Sequence, residues 1–353
     1  MSGNWLIYGA NGYTGRLIAR EAARRGLKPI LAGRDVAKVD ELARQLDCPS
    51  RVFALDDDVA LRVALQDATV VLNCAGPFSK TAPAMIAGCL QRRASYLDIT
   101  GEIDVIEHAA KQDAAAREAG VSLIPAVGFD VVPTDCLAAL LADEMPDATH
   151  LALAFHGSGA MSPGTLKTAA EGSVYGGRAR IDGRITPVPF AWKTRSIPFA
   201  DGLREAQTIP WGDVASAFHT TGIPNIETYL AMPPADAARM RRMNHFAFLL
   251  RMPFVLRFVQ AQIAKHVHGP DDAELANGRT EIWGEVRNDA GRTVSMTLTT
   301  PNAYRLTALS AVAAVERVLE GNVPVGFQTP ARAFGPEFVL SLPGVTLRAG
   351  ARR

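Results

Sequence analysis

Asn4 to Gly15, N-W-L-I-Y-G-A-N-G-Y-T-G, decides how the rest of the chain is read. Trp5, Leu6, Ile7 and Tyr8 form a short apolar run that ends in three glycines spaced three apart, Gly9, Gly12 and Gly15. From Tyr13 to Arg25 the chain carries Leu17, Ile18 and Ala22 on one stripe, which predicts a helix directly after the glycines. Strand, glycine turn and helix together form the setting in which such glycines do distinct jobs. One permits the tight turn, one lets backbone approach a pyrophosphate, and one lets helix pack on strand. The start of the helix then presents unpaired N–H groups and the positive end of its dipole to an anion. Gly9, Ala10, Asn11, Gly12, Tyr13, Thr14 and Gly15 are therefore expected to hold a dinucleotide.

Working outward, Lys28 to Ala32 reads as a second strand running into Gly33, Arg34 and Asp35. An acidic residue at the end of this strand would bond the adenosine ribose, whereas an arginine accommodates a 2′-phosphate. Arg34 comes first, and Lys38 follows one helical turn later, so NADP is expected rather than NAD; the competing reading pairs Arg34 with Asp35 or Asp40. A third strand, Arg51 to Leu55, ends in Asp56, Asp57 and Asp58, of which one caps the next helix while Asp56 is placed to meet the adenine. The fourth, Thr69 to Asn73, stops in Cys74, Ala75, Gly76, Pro77 and Phe78. In a doubly wound sheet this strand lies beside the first, which turns that small-residue loop toward the dinucleotide. Ser95 to Ile99 and Val121 to Pro125 supply two more strands, with an Ala-rich helix from Gly101 to Glu118 between them. Six strands alternating with helices predict an α/β fold, a Rossmann-type doubly wound parallel sheet, over residues 1–130.

Beyond it the pattern changes. Extended segments at Leu151 to Phe155, Thr186 to Phe190 and Ile226 to Met232, and a hairpin of Arg279 to Arg287 with Thr293 to Thr300, predict a second, mostly antiparallel α+β domain over 131–300. A helix from Asn302 to Glu320 and the tail to 353 are expected to return to the first domain. Met243 to Val267 is apolar on most faces and preceded by Arg239, Arg241 and Arg242. It predicts peripheral membrane contact, a groove for a lipid-like substrate, or burial in the body or across a homodimer interface.

The totals narrow the classes. A chain of 353 residues suits two domains, and a net charge of +1 with Lys and Arg spread throughout gives no electrostatic argument for nucleic acid. Cys48, Cys74, Cys89 and Cys136 lack any metal-binding spacing, so buried thiols in a reducing, cytoplasmic setting and no metal are expected. No basic segment followed by an apolar run opens the chain, and no uninterrupted apolar run of about 18 residues occurs, so neither a signal peptide nor a spanning helix is read.

The chain resembles the saccharopine dehydrogenase-like oxidoreductases, and among them the short members grouped with trans-acting enoyl reductases. The segments that carry the resemblance include Y-G-A-N-G-Y-T-G (Tyr8 to Gly15), L-A-G-R (Leu31 to Arg34), N-C-A-G-P-F (Asn73 to Phe78), Y-L-D-I-T-G-E (Tyr96 to Glu102) and G-F-D-V-V-P-T-D (Gly128 to Asp135). S-P-G-T (Ser162 to Thr165), W-G-E-V (Trp283 to Val286) and T-P-A-R-A-F-G (Thr329 to Gly335) extend it along the chain. The resemblance implies a Rossmann domain, a sheet domain inserted in it and a nicotinamide cofactor.

Hydride transfer needs chiefly orientation, plus an acid for the accompanying proton. Tyr96 and Tyr175 are followed four residues on by Thr100 and Ala179, so a Tyr-x-x-x-Lys pair is missing there. Asp98, at the end of the fifth strand, and Asp130, after the sixth, lie at the edge where such sheets bind ligands; each is a candidate for the proton, or else a loop or cap aspartate. Tyr96 shares a strand face with Asp98 and is expected to meet substrate or to pack, and Thr165 and Lys167 are expected to bind substrate from the second domain. The leading reading is NADP-dependent reduction of an enoyl or related lipid-like substrate. The alternatives are a non-catalytic nucleotide-binding regulatory or membrane-associated protein, and an imine-reducing amino-acid dehydrogenase.

Overall fold

Trp5, Leu6, Ile7 and Tyr8 are all buried, so β1 (Trp5–Tyr8) is covered on both faces, as strands of parallel sheets are. The computed structural model describes residues 4–157, 161–172, 176–250, 252–267 and 269–352, with the backbone alone at 243–250, 253 and 264. After β1 come α1 (Tyr13–Arg24), β2 (Ile30–Gly33), α2 (Val36–Leu46), β3 (Ser50–Val52), α3 (Asp58–Ala64), β4 (Val70–Asn73), α4 (Phe78–Arg92), β5 (Ser95–Asp98), α5 (Ile103–Lys111), α6 (Asp113–Ala119) and β6 (Ser122–Ile124). There follow α7 (Val132–Glu144), β7 (His150–Gly157), α8 (Pro163–Gly172), β8 (Gly177–Ile181), β9 (Arg184–Val188), β10 (Thr194–Phe199), β11 (Gly202–Thr208), α9 (Asp213–Thr221) and β12 (Asn225–Ala231). The chain closes with α10 (Pro234–Leu250), α11 (Pro253–His266), α12 (Asp272–Asn277), β13 (Arg279–Arg287), β14 (Thr293–Pro301), α13 (Ala303–Leu319), β15 (Gly326–Phe327), α14 (Pro330–Phe334) and β16 (Thr346–Arg352).

The chain divides into two compact units. One runs to Val132 and takes back Tyr304–Phe334; the other is Pro133–Ala303 with the stretch from Gly335 onward. In the first, seven strands among the described residues form one sheet in the order β15-β6-β5-β4-β1-β2-β3, and every pairing is parallel. The order reverses at β1, which lies between β2 and β4, and the turn after β1 therefore opens at the switch point. Strand β15 is absent from the sequence reading because two residues carry no periodicity. Its place comes from backbone pairing, with Gly326 N–H donating to Val121 O at 2.9 Å and Gln328 N–H to Leu123 O at 2.9 Å. The Ala-rich stretch forms two helices, α5 and α6, that meet at Gln112. Helix α13 is buried along Leu306, Leu309, Val312 and Val315, and its Ser310 hydroxyl donates to Val127 O at 2.7 Å, which ties the loop after β6.

Among the described residues the second unit holds a nine-stranded mixed sheet whose main path is β10-β11-β12-β7-β13-β14-β16. Strands β7 and β12 pair parallel and the other neighbours antiparallel. Gly284 in β13 has no side chain because α7 lies there; a β-carbon would sit 2.7 Å from Leu141 Cδ1. The β13–β14 hairpin turns through Asn288 to Gly291, where Gly291 takes φ of 81°. One expectation is corrected. The tail from Gly335 onward does not return with α13, because β16 pairs antiparallel with β14 and so joins the second sheet. The apolar stretch from Met243 to Val267 is shared between the end of α10 and α11, which Pro253 starts because it cannot continue a hydrogen-bond ladder. The side chains at 243–250, including Phe246 and Leu249, lie outside the described residues.

Candidate functional site

The glycine turn divides its labour by space. Gly9 has φ of 79°, and a β-carbon on it would lie 2.8 Å from Ala75 N; on Gly15 it would lie 2.3 Å from Gly9 O. Gly9 thus lets the loop after β4 close in, and Gly15 lets α1 sit against its own turn. Gly12 is exposed, and a β-carbon there would meet only Gly9 O, at 3.2 Å, so bare backbone faces outward at the start of α1. Gly12 is also the N-cap, with no side-chain cap and no acidic residue in the first turn. With no side chain capping it, that helix start presents the positive end of its dipole to an anionic ligand. The amides of Gly9 and Ala10, in contrast, both donate to Ala32 O at the end of β2 and brace the turn.

Around the end of β2 the cations separate. Lys38 Nζ pairs with Asp35 at 2.9 Å, and the Asp35 side chain also accepts from Lys38 N as the cap of α2. Asp40 accepts from the Ser50 hydroxyl. Arg34 is exposed and makes no ion pair among the described residues, so the guanidinium that sequence assigned to a 2′-phosphate is available for one. Both Arg34 and Asp56 act on the Tyr8 hydroxyl, which burial holds above the usual tyrosine range. Of the three aspartates after β3, Asp57 caps α3 through Val59 N and Ala60 N, and Asp56 stays exposed. The glycines, the uncapped helix start and Arg34 fit a dinucleotide with a 2′-phosphate.

The loop from Cys74 to Pro77 is fixed from beneath. Asn73 Oδ1 accepts from Ala75 N at 3.0 Å, and its Nδ2 donates to Thr81 Oγ1 at 3.1 Å and Tyr96 Oη at 3.3 Å. Thr81 Oγ1 in turn donates to Ala75 O at 2.6 Å. The Gly76–Pro77 peptide is cis. Phe78 is buried, and burial pushes the Cys74 thiol far up, which makes it a packing group rather than a nucleophile. At the start of α4 the amides of Phe78 and Ser79 are already taken, by the Glu102 carboxylate at 2.8 and 2.9 Å. Sequence reasoning did not single out Glu102 for this. The available signal was its position one turn past β5, opposite a helix start with no capping residue of its own.

Asp98 and Asp130 part company. Asp98 has no exposed surface, and its oxygens accept from Thr100 N at 3.0 Å, Ala126 N at 2.8 Å and the Tyr96 hydroxyl at 2.7 Å. Burial pushes its carboxyl up to about 6, against the pull of those bonds. Ala126 has φ of 63°, a left-handed conformation costly for a residue with a β-carbon, and Asp98 holds it there. Tyr96 is equally sealed and offers no surface to a substrate. Asp130 keeps partial exposure, yet its carboxyl is set deeply enough that burial pushes it up to about 7. It packs on the bare face of Gly101, where a β-carbon would lie 2.8 Å from Asp130 Oδ2. Thr165 and Lys167 lie in the first turns of α8, in the second unit, where Thr165 N donates to Ser162 Oγ at 3.2 Å. Among the described residues no group of His, Cys, Asp and Glu could hold a metal ion.

Residues 5–124 match the family model described as saccharopine dehydrogenase NADP binding domain. A human saccharopine dehydrogenase-like oxidoreductase is 33% identical over 150 residues, covering 37% of this chain and 35% of that protein. A trans-acting enoyl reductase of Mycobacterium bovis (strain BCG / Pasteur 1173P2) is 30% identical over 141 residues, covering 37% of this chain and 33% of that protein. The match thus spans about a third of the curated relatives' length. Among solved structures, apo saccharopine dehydrogenase (L-Glu forming) from Saccharomyces cerevisiae superposes with a TM-score of 0.67 at 12% identity, covering 99% of this chain and 100% of that one, a likeness of fold. The glycine turn, the Arg34-bearing strand end and the small-residue loop after β4 all fall inside the matched region, and it is over residues 5–124 that the chain is similar to a saccharopine dehydrogenase NADP binding domain.

Proposed function

We propose that the protein is an NADPH-dependent reductase of a polarised double bond, with an enoyl-type, apolar acceptor, and that Asp130 supplies the proton. The observation that carries this reading is the contrast between Asp98, sealed and fully bonded, and Asp130, partly exposed with its carboxyl near 7. A general acid works best with a pKa close to the working pH and a face open to substrate. NADPH, when bound, supplies hydride. The start of α1 would hold its pyrophosphate and Arg34 its 2′-phosphate. Asp98 and Tyr96 position the strand ends and the Ala126 turn, and do not touch the reacting atoms. As the carbon β to the carbonyl gains hydride, Asp130 gives its carboxyl proton to the α-carbon, and the carboxylate left behind recovers a proton from water. The name of the mycobacterial relative supports an enoyl acceptor.

Reduction by the acid form is lost as pH rises through about 7, the value to which Asp130 is pushed. The test follows oxidation of NADPH with α,β-unsaturated thioesters, ketones and imines, each across pH. Turnover of the unsaturated thioester that falls above neutrality, and an Asp130→Asn variant that keeps NADPH affinity but loses roughly 100-fold in kcat together with that pH limb, are expected. Preference for the imine replaces the acceptor class, and tight NADPH binding without turnover of any acceptor overturns the enzymatic reading.

A further inference from the structure

Helix α11 has two faces of unusual character. Leu256, Val259, Gln260 and Ile263, at helical spacing, are partly buried, and Gln260 donates to Glu171 of α8 at 2.7 Å, so this stripe lies against α8. The opposite stripe is exposed and carries Phe254, Arg257, Phe258, Ala261 and Lys265. Phe254 is 70% exposed and Phe258 63%, one turn apart on the same side, with Met252 just before them at 39%. A helix that has already used one face for packing has no structural need for two phenylalanines on the other. Exposed pairs of this size mark contact with another apolar phase or surface.

Charge identifies the occupant. From 237 to 269 the chain contains no Asp or Glu, while it carries Arg239, Arg241, Arg242, Arg251, Arg257 and Lys265. Arg239 is paired with Asp236, and Arg241 bonds Thr194 and Gln207. Arg257 and Lys265, on the phenylalanine stripe, make no ion pair among the described residues. Aromatic side chains flanked by uncompensated cations fit the boundary between acyl chains and anionic headgroups, where the rings enter and the cations meet phosphate. Among the described residues no helix is long and apolar enough to cross a membrane, so the contact is one that lies on the surface. The geometry points to α11 as a docking face for an anionic lipid surface, through Phe254 and Phe258 with Arg257 and Lys265. This inference stands apart from the proposed chemistry, since it uses no residue of the nucleotide site.

The test uses the full chain and sedimentation with vesicles, either pure phosphatidylcholine or phosphatidylcholine with phosphatidylglycerol. The protein co-sediments with the anionic vesicles, less as salt rises, and poorly with the neutral ones. Phe254→Ser with Phe258→Ser lowers partitioning by about 30-fold, and Arg257→Glu with Lys265→Glu by about 10-fold or more. Both variants keep the NADPH affinity and melting temperature of the parent, and the charge pair reports independently should the phenylalanine pair perturb folding. Three outcomes overturn the proposal: no binding to anionic vesicles, binding that neither pair of substitutions changes, or a dimer in solution that the phenylalanine pair converts to monomers, which assigns the face to a second copy of the chain.

Discussion

Two helices, α1 and α4, start at the same edge of one parallel sheet, after the adjacent strands β1 and β4, and they meet opposite fates. Both starts present orphan amides and a positive dipole end. At α4 the Glu102 carboxylate already occupies the amides of Phe78 and Ser79, whereas at α1 the cap is a bare glycine with no acid in the first turn. The two aspartates repeat the contrast: Asp98 is closed by three donors and Asp130 keeps a face open. An anion-binding helix start is identified less by its residues than by whether the fold has already capped it, and a proton-giving carboxyl by whether it keeps exposed surface.

The largest effect is expected where the closed member is opened. Asp98→Ala leaves Ala126 N, Thr100 N and the Tyr96 hydroxyl without their acceptor in a buried place, at a cost of about 4 kcal/mol in unfolding free energy. Chemical denaturation reads this directly, and a loss below about 1 kcal/mol would show that Asp98 is no anchor. Next in size, Arg34→Ala weakens NADPH by about 30-fold, as removal of one charge-assisted phosphate contact does, and leaves NADH within about twofold. Lys38→Ala changes either cofactor by no more than about twofold, because its ammonium is exposed and held by Asp35. Equal losses from the two substitutions would erase the distinction drawn between those cations. The smallest effect belongs to Glu102→Ala, which uncovers the start of α4 at about 1 kcal/mol, a capping loss, with NADPH affinity moved by less than about threefold.

How much of this was legible in the sequence follows from the range of the interactions. Glycine spacing, the apolar run and the strand ending in Gly33 and Arg34 are local, and they marked β1, its glycine turn, α1 and β2 from pattern alone. The sealing of Asp98 depends on Tyr96, Thr100 and Ala126, the last of them 28 positions away. Strand periodicity put Tyr96 and Asp98 on one face, yet nothing local says that the donor from Ala126 arrives. Glu102 escaped for the same reason, since its bonds to Phe78 and Ser79 cross from one βα unit to the next. Strand β15 and the pairing of β16 with β14 were invisible because each rests on a distant partner strand rather than on its own pattern.

Amide hydrogen exchange with and without NADPH tests the contrast between the two helix starts most directly. The amides of Asn11, Thr14 and Gly15, in the turn and first residues of α1, exchange readily in the free protein and become protected on binding, whereas Gly12 N and Arg16 N are already bonded to Gly9 O and Gly12 O. Those of Phe78 and Ser79 are slow throughout, because Glu102 holds them already. Protection that appears at the start of α4 and leaves α1 unchanged would contradict the account.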